Sequence, residues 1–453
     1  MTIKMKSLPP LLSLFTILGF QHFSSASPIE KTAKTFVDLG DPVAISIGVI
    51  HKGKTTTWHH GTLSLGKPKQ ADSKTVYEIG SVTKVFTAML LANEVYQNRY
   101  GFDTSVSELL PDTFKVPAFK DQQINLVQLA THTSHLPRIP NDMFVGADPK
   151  NPYAHYTRER LQESLSKQKV SKAPGSSPTA YSNLGYGLLG FAMAEQRETD
   201  YAALMDKSLL KPLSMTSTSA KLAPSVNYAK GYDIAHLPIP DWKFGTLAGA
   251  GGIRSNLDDM LKFAQFCLHP GKSPIMPTLE LTLKPRIKNK NGTAQCLGWM
   301  RAADQTTYWH NGMTYGFSSY FAFNRKYDIA VCILSSGASS HISGLGEQLI
   351  RNFVSGKHTV FTPNRPPVKI PLTQKHLTSL TGNYQLSPTL FLAVTSRDKR
   401  LFAQITGQPP MEVYPKSPTE FDYHGVKASI QFNAGKQLTF RQNGQIIVAR
   451  KLP

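Results

Sequence analysis

Strand-forming runs lie at the two ends of a long helical stretch, and that separation constrains the fold more than any other feature. Residues 43–50 form a β-branched run, followed by Lys52-Gly53 and a second run at 55–58, which reads as a hairpin. From about residue 81 to 266 the pattern is mostly helical, broken by Pro/Gly-rich loops. Strand signals return at 307–310, 317–324 and 329–335. Strands at both ends with helices between them predict one sheet, built from the N- and C-terminal parts of a single α/β (α+β) domain. Residues 357–372 are rich in proline (Pro363, Pro366, Pro367, Pro371) and read as a linker. Beyond it, 391–395, 401–405, 428–433 and 437–441 carry strand formers separated by turn signals, so residues 373–453 are expected to form a small all-β domain, a barrel or a curled sheet.

The N-terminus has the form of an export signal. Lys4 and Lys6 precede an apolar run at 11–20, and Ser24-Ser25-Ala26 offers small residues for cleavage. Residues 1–26 are therefore expected to be a signal peptide, with residues 27–356 as the main domain and a periplasmic or secreted location. The apolar run is too short for a comfortable membrane span. The chain carries 50 basic and 30 acidic residues, a net charge of +20. The basic residues are scattered, with no zinc-finger spacing and no RNA-binding aromatic signature. This suits an anionic cell envelope better than nucleic acid. Three cysteines, Cys267, Cys296 and Cys332, give no disulfide framework, and Cys332 reads as a core residue of an apolar strand.

Three ordered strings carry the chemistry. In Ser81-Val82-Thr83-Lys84 a hydroxyl and an amine share one face of a turn at the entrance to an apolar helix (85–95). A serine there could simply cap the helix. A cap does not need Lys84, whose amine is costly beside an apolar helix unless it has partners, and whose burial would lower its pKa toward that of a useful base. In Tyr181-Ser182-Asn183, a phenol near an ammonium loses its proton more easily and becomes a second candidate base, while Asn183 could hold a substrate amide and bond Lys84. His310-Asn311-Gly312 ends an aromatic strand. His310 could bind a substrate carboxylate as a cation, and Gly312 would let substrate lie against the strand edge. The N–H groups of Ser81 and Met313 are candidate oxyanion donors. The string Gly185-Tyr186-Gly187-Leu188-Leu189-Gly190 matches a dinucleotide fingerprint in letter only. It follows a loop rather than a strand, and Leu210 stands where an acidic residue is needed, so these glycines read as close helix packing. No metal-ligand spacing of the H-E-x-x-H type is present, so neither metal nor cofactor is expected.

In this order the strings resemble those of the class C β-lactamase and penicillin-binding serine hydrolase superfamily, which includes D-alanyl-D-alanine carboxypeptidases, D-aminopeptidases and esterases. Residues 129–137 (LATHTSHLP), 211–218 (KPLSMTST), 230–232 (KGY) and 249–255 (GAGGIRS) are also similar to the family. The resemblance covers about residues 35–356, and the tail, with Leu380-Thr381-Gly382-Asn383-Tyr384, is similar to the lipocalin-like domain of some members. It implies an antiparallel sheet flanked by helices, a helical subdomain and a barrel-like tail. It also implies Ser81 as nucleophile, Lys84 and Tyr181 as base pair, and Asn183, His310, Asn311 and Gly312 as substrate contacts. The implied substrate is a small molecule or peptide: a β-lactam, a D-amino-acid peptide or an ester, with peptidoglycan a candidate partner. Two departures stand out. His-Asn-Gly replaces the Lys-Thr-Gly of typical class C lactamases, which points toward the peptidase, aminopeptidase and esterase branches. His135 stands where the family's His-Thr-Ser-Gly has glycine.

Overall fold

The computed structural model describes residues 27–221, 227–234, 236–357, 359–361, 363, 370–387, 390–406, 410–423, 426–442 and 444–452. The expected signal peptide and much of the Pro-rich linker lie outside these residues.

The sheet closes as the separated strand signals require. Helix α1 (Pro28–Asp38) leads into the hairpin β1 (Ala44–His51) and β2 (Lys54–Gly61). Lys52 and Gly53 both have positive φ, as a two-residue hairpin turn demands. The chain then leaves the sheet for the helical region, which includes α2 (Thr83–Tyr96), α3 (Asn183–Gln196) and α4 (Leu257–Leu268). It returns through three two-residue strands, β3 (Ile287–Lys288), β4 (Ala294–Gln295) and β5 (Met300–Arg301), and then through β6 (Thr307–Met313), β7 (Ser318–Asn324) and β8 (Ile329–Ser336). The eight-stranded order is β2-β1-β8-β7-β6-β5-β4-β3. Ladder pairs are antiparallel, and Ala44 of β1 lies opposite Ser336 of β8.

Every residue of β8 is buried, because both faces of the sheet are covered. Ala330, Cys332 and Leu334 face the core that contains α2, α3 and α4. Ile329, Val331 and Ile333 face α1 and the helix that follows β8, α5 (His341–Ser355). Cys332 is thus a core residue, as its setting in the strand predicts.

Helix α2 is buried on nearly all sides, from Thr83 to Glu94. Helix α3 lies beside it, and its glycines permit close packing: a Cβ added at Gly187 would fall 2.5 Å from a Leu247 methyl. The glycines of that dinucleotide-like string are therefore a packing device. After α5, eight strands close into a separate barrel in simple sequential order: β9 (Gly382–Gln385), β10 (Phe391–Arg397), β11 (Arg400–Ile405), β12 (Met411–Pro415), β13 (Glu420–Tyr423), β14 (Ala428–Asn433), β15 (Gln437–Gln442) and β16 (Gln445–Lys451). Its core, including Leu392, Leu401, Phe421, Ile430 and Leu438, is distinct from the two that flank the sheet.

Candidate active site

A short ribbon, Tyr77–Glu78 paired with Arg254–Ser255, delivers the chain to the site. Residues Gly80–Val82 form a single 3-10 turn that runs into α2. Ser81 makes no capping bond. Instead its Oγ accepts a hydrogen bond from the Tyr181 hydroxyl at 2.8 Å and lies 3.0 Å from Lys84 Nζ. The i, i+3 spacing of Ser81 and Lys84 does what the sequence implied.

Lys84 is fully buried. Besides Ser81 it donates to Asn183 Oδ1 at 2.9 Å and to the Ala250 carbonyl at 2.6 Å. Among the described residues no carboxylate pairs with it. Burial, reinforced by the Arg138 guanidinium, holds its pKa well below the usual lysine value. Burial acts on Tyr181 in the opposite sense, pushing the phenol up to about 12 against the opposing pull of the Ser81 hydrogen bond and Arg138. The expectation that a neighbouring ammonium would ease the Tyr181 proton off is therefore corrected. Desolvation outweighs the Arg138 guanidinium and the Ser81 hydrogen bond, and the phenol keeps its proton at neutral pH. Lys84 is left as the group that can accept one.

Asn183 begins α3, with Ser182 capping that helix. Its amide nitrogen donates to the Tyr153 hydroxyl at 3.1 Å, so the carboxamide is fixed at both ends. His310, at 6% exposure, sits on the inner face of β6. Its Nδ1–H donates to the Asn311 carbonyl at 2.6 Å. Burial, and then Lys84, pushes its pKa down to about 4. The ring is neutral at pH 7, with a lone pair on Nε2, which does not suit the cationic carboxylate anchor that its position suggested.

Two members of the third string act differently from expectation. Side chains alternate along a strand, so Asn311 falls on the face opposite His310, where its amide donates to Ser343 Oγ on α5 at 2.9 Å. It does not converge on Ser81. Gly312 is needed for a backbone approach rather than for substrate: an added Cβ would fall 2.0 Å from the Ile79 carbonyl oxygen and 2.5 Å from Ser319 Oγ. The backbone geometry at Met313 N–H is that of an oxyanion donor. Thr314 N–H is used by the Phe317 carbonyl, so alternation turns Met313 N–H to the free edge of β6. That edge abuts Gly80, whose added Cβ would lie 2.7 Å from Met313 N.

The structure adds residues that the three strings do not contain. His132 stacks on Tyr181 with ring centroids 4.4 Å apart. Its Nδ1 accepts from Ser182 N–H at 3.1 Å, which places its proton on Nε2. Burial keeps it neutral, well below the usual histidine value. His132 and Ala250 belong to the family-like strings at 129–137 and 249–255, whereas nothing in the sequence marks Tyr153. His135 has φ +56, the left-handed backbone that favours glycine. It keeps that conformation, and its Nε2–H reaches the Ser176 carbonyl at 2.9 Å, fastening the loop that leads to Tyr181.

Comparison with known proteins bears on the family and the fold. The beta-lactamase family profile matches residues 29–352. A beta-lactamase of Providencia stuartii is 32% identical over 228 residues, 50% of this chain and 54% of its own length. The D-alanyl-D-alanine-carboxypeptidase/endopeptidase AmpH of Escherichia coli K12 is 34% identical over 198 residues, 43% of this chain and 49% of its own. The chain thus spans about half the length of these curated relatives. Among solved structures, a class C beta lactamase from Rhodobacter sphaeroides superposes with TM-score 0.61 at 20% identity, covering 73% of this chain and 99% of its own. The octameric penicillin-binding protein homologue from Pyrococcus abyssi reaches TM-score 0.62 at 18% identity, covering 93% and 99%. At such identities the structural likeness speaks for the fold. With the family profile spanning most of its length and the Ser-Lys-Tyr cluster assembled on that fold, the chain belongs to the beta-lactamase family of serine hydrolases.

Proposed function

We propose that the protein is an exported serine hydrolase that forms an acyl-enzyme on Ser81 with β-lactams or D-amino-acid peptides. The observation that carries this reading is the three-way contact of Ser81 Oγ with Lys84 Nζ at 3.0 Å and the Tyr181 hydroxyl at 2.8 Å. Export rests on the basic, then apolar, then small-residue order of residues 1–26.

In this mechanism neutral Lys84 takes the Ser81 proton as Oγ bonds to the substrate carbonyl carbon. The oxyanion meets the N–H groups of Ser81 and Met313. As the carbon–nitrogen bond breaks, the leaving nitrogen takes the Tyr181 hydroxyl proton. Lys84, whose Nζ lies 4.9 Å from the Tyr181 ring centroid, restores that proton and becomes neutral again. Water then attacks the ester and gives its proton to Lys84, and Ser81 leaves and is reprotonated.

The test is to incubate the protein with labelled penicillin and follow the adduct by intact mass. A label on Ser81 that decays quickly indicates a lactamase, and one that decays slowly indicates a peptidase-like enzyme. Ser81→Ala should abolish the label and cost about 10³-fold or more in kcat. Near-full turnover by that variant would overturn the mechanism. The His-Asn-Gly string favours one second reading, an esterase using the same residues, for which acyl esters turn over and amides do not.

A further inference from the structure

We propose that Arg138 is the anion anchor of this cleft, binding a carboxylate carried by the leaving group of the substrate. The inference rests on the serine hydrolase reading above and names a residue that none of the three strings contains.

Arg138 directly follows the 129–137 string. Its carbonyl accepts the N–H groups of Asn183 at 2.7 Å and Leu184 at 3.2 Å, so the first turn of α3 grips its backbone beside the site. Its side chain is exposed, with the guanidinium carbon 5.1 Å from the centroid of the Tyr181 ring. Several other arginines here pair with carboxylates, Arg158 with Glu195 and Arg325 with Glu280 among them. Among the described residues none pairs with Arg138. Its planar fork of donors, suited to a carboxylate, is available at the mouth of the site.

The cluster behind it has no other cation to offer. His310 holds a lone pair where an anchor would need an N–H, and Lys84 is spent on Ser81, Asn183 and Ala250. The charge of Arg138 is felt throughout the cluster: it lowers the pKa values of Lys84, His132, Tyr153 and Tyr181. Tyr181 is also the group that protonates the leaving nitrogen, so a cation over its ring lies on the leaving-group side. The ligand class is an acyl donor with a carboxylate next to the scissile nitrogen.

The test compares acylation of the full chain by benzylpenicillin, which has that carboxylate, and by its methyl ester, which lacks it. The wild type should react with the acid at least about tenfold faster than with the ester. Arg138→Gln should erase that ratio, and Arg138→Lys should keep part of it. The ester rate in Arg138→Gln reports the separate effect of lost charge on Lys84, so a fall common to both compounds would be field and not anchoring. The wild-type ratio should also hold from pH 6 to pH 9, because a guanidinium does not titrate there, whereas an imidazolium anchor would lose it above about pH 6.5. A ratio unchanged in Arg138→Gln overturns the anchor while leaving the Ser81 mechanism intact. No label on Ser81 from either compound overturns the mechanism and the anchor together.

Discussion

The chemistry at Ser81 turns on which of its two neighbours lacks a proton. Burial answers this, because it disfavours whichever form is charged: it pulls the Lys84 amine down and pushes the Tyr181 phenol up. kcat/KM should therefore rise with pH as Lys84 deprotonates and then stay level, with no fall near neutrality. A profile from pH 5 to 10 on a carboxylate-bearing substrate checks this; a decline centred near pH 6.5 that disappears in His310→Gln would restore the histidine as a cationic anchor. His310 also bears on stability. Its folded pKa, about 4, lies below the unfolded value of about 6.5. Above pH 6.5 the ring is neutral in both states and nothing is lost. As pH falls from 6.5 toward 4, the unfolded chain binds a proton that the folded chain refuses, and the unfolding free energy drops by on the order of 3 kcal/mol. Urea midpoints across that range should fall less steeply for His310→Gln than for the wild type. At this scale Ser81 and Lys84 were legible in the sequence because their i, i+3 spacing brings them together, and Tyr181, 100 positions further on, through the family resemblance of its Tyr-Ser-Asn string. The protonation states, and the parts played by His132 and Tyr153, were not, since they depend on burial by segments remote in the chain.

Secondary elements hold the site through backbone approaches rather than side-chain volume. Strand β6 lies against the Ile79–Ser81 segment, and Ser319 Oγ donates to the Ile79 carbonyl at 2.8 Å. Gly312→Ala must push that segment and the strand apart, since the new methyl would overlap the Ile79 carbonyl. The expected outcome is a loss of Ser81 acylation by about 10²-fold or more, because small misplacements of reacting groups are costly. Gly101→Ala, whose added carbon has no neighbour closer than 3.8 Å and whose φ is not positive, is the control for a glycine change away from the site. The ribbon before Ser81 has its own brace. Glu78 Oε1 accepts from Trp242 N–H at 2.7 Å and from the Tyr228 hydroxyl at 3.2 Å, with Arg254 at 3.4 Å. Glu78→Ala leaves Arg254 buried and without this carboxylate, and should cost about 3–5 kcal/mol in denaturant unfolding, whereas Glu78→Gln should cost less. Long strands were visible in the sequence because burial on one or both faces leaves a pattern. The two-residue strands β3, β4 and β5 are too short to have a period, and β9, β12, β13 and β16 of the barrel carry no strong apolar alternation. A three-residue string does not announce that its middle member, Asn311, faces the other way.

At the scale of the molecule, the two ends of the main domain meet in one sheet and the barrel closes on itself. Among the described residues, no strand of the main sheet and no member of the Ser81 cluster comes from beyond α5, and the barrel has its own core. A chain ending at Lys357 should therefore fold and still acylate Ser81. It loses the packing of Phe361 on Phe36 of α1, and the contact in which the β10–β11 hairpin approaches the main domain. A Cβ added at Gly40 would lie 3.5 Å from the Arg397 guanidinium and 3.6 Å from the His236 ring. His236 is held at about 4 by burial first and by Arg397 next, with Arg400 also opposing its charge and Asp398 and the Gly40 backbone favouring it. Removing the barrel takes away both arginines, Asp398 and part of the burial, so His236 should titrate closer to 6.5 in the shortened chain, while His310 should stay near 4 because its surroundings lie in the main domain. Histidine NMR titration of the full and shortened chains reads both groups at once. An unmoved His236 would mean that the barrel does not cover it in solution. An insoluble shortened chain, or one with no label on Ser81, would mean that the main domain depends on the barrel for its fold.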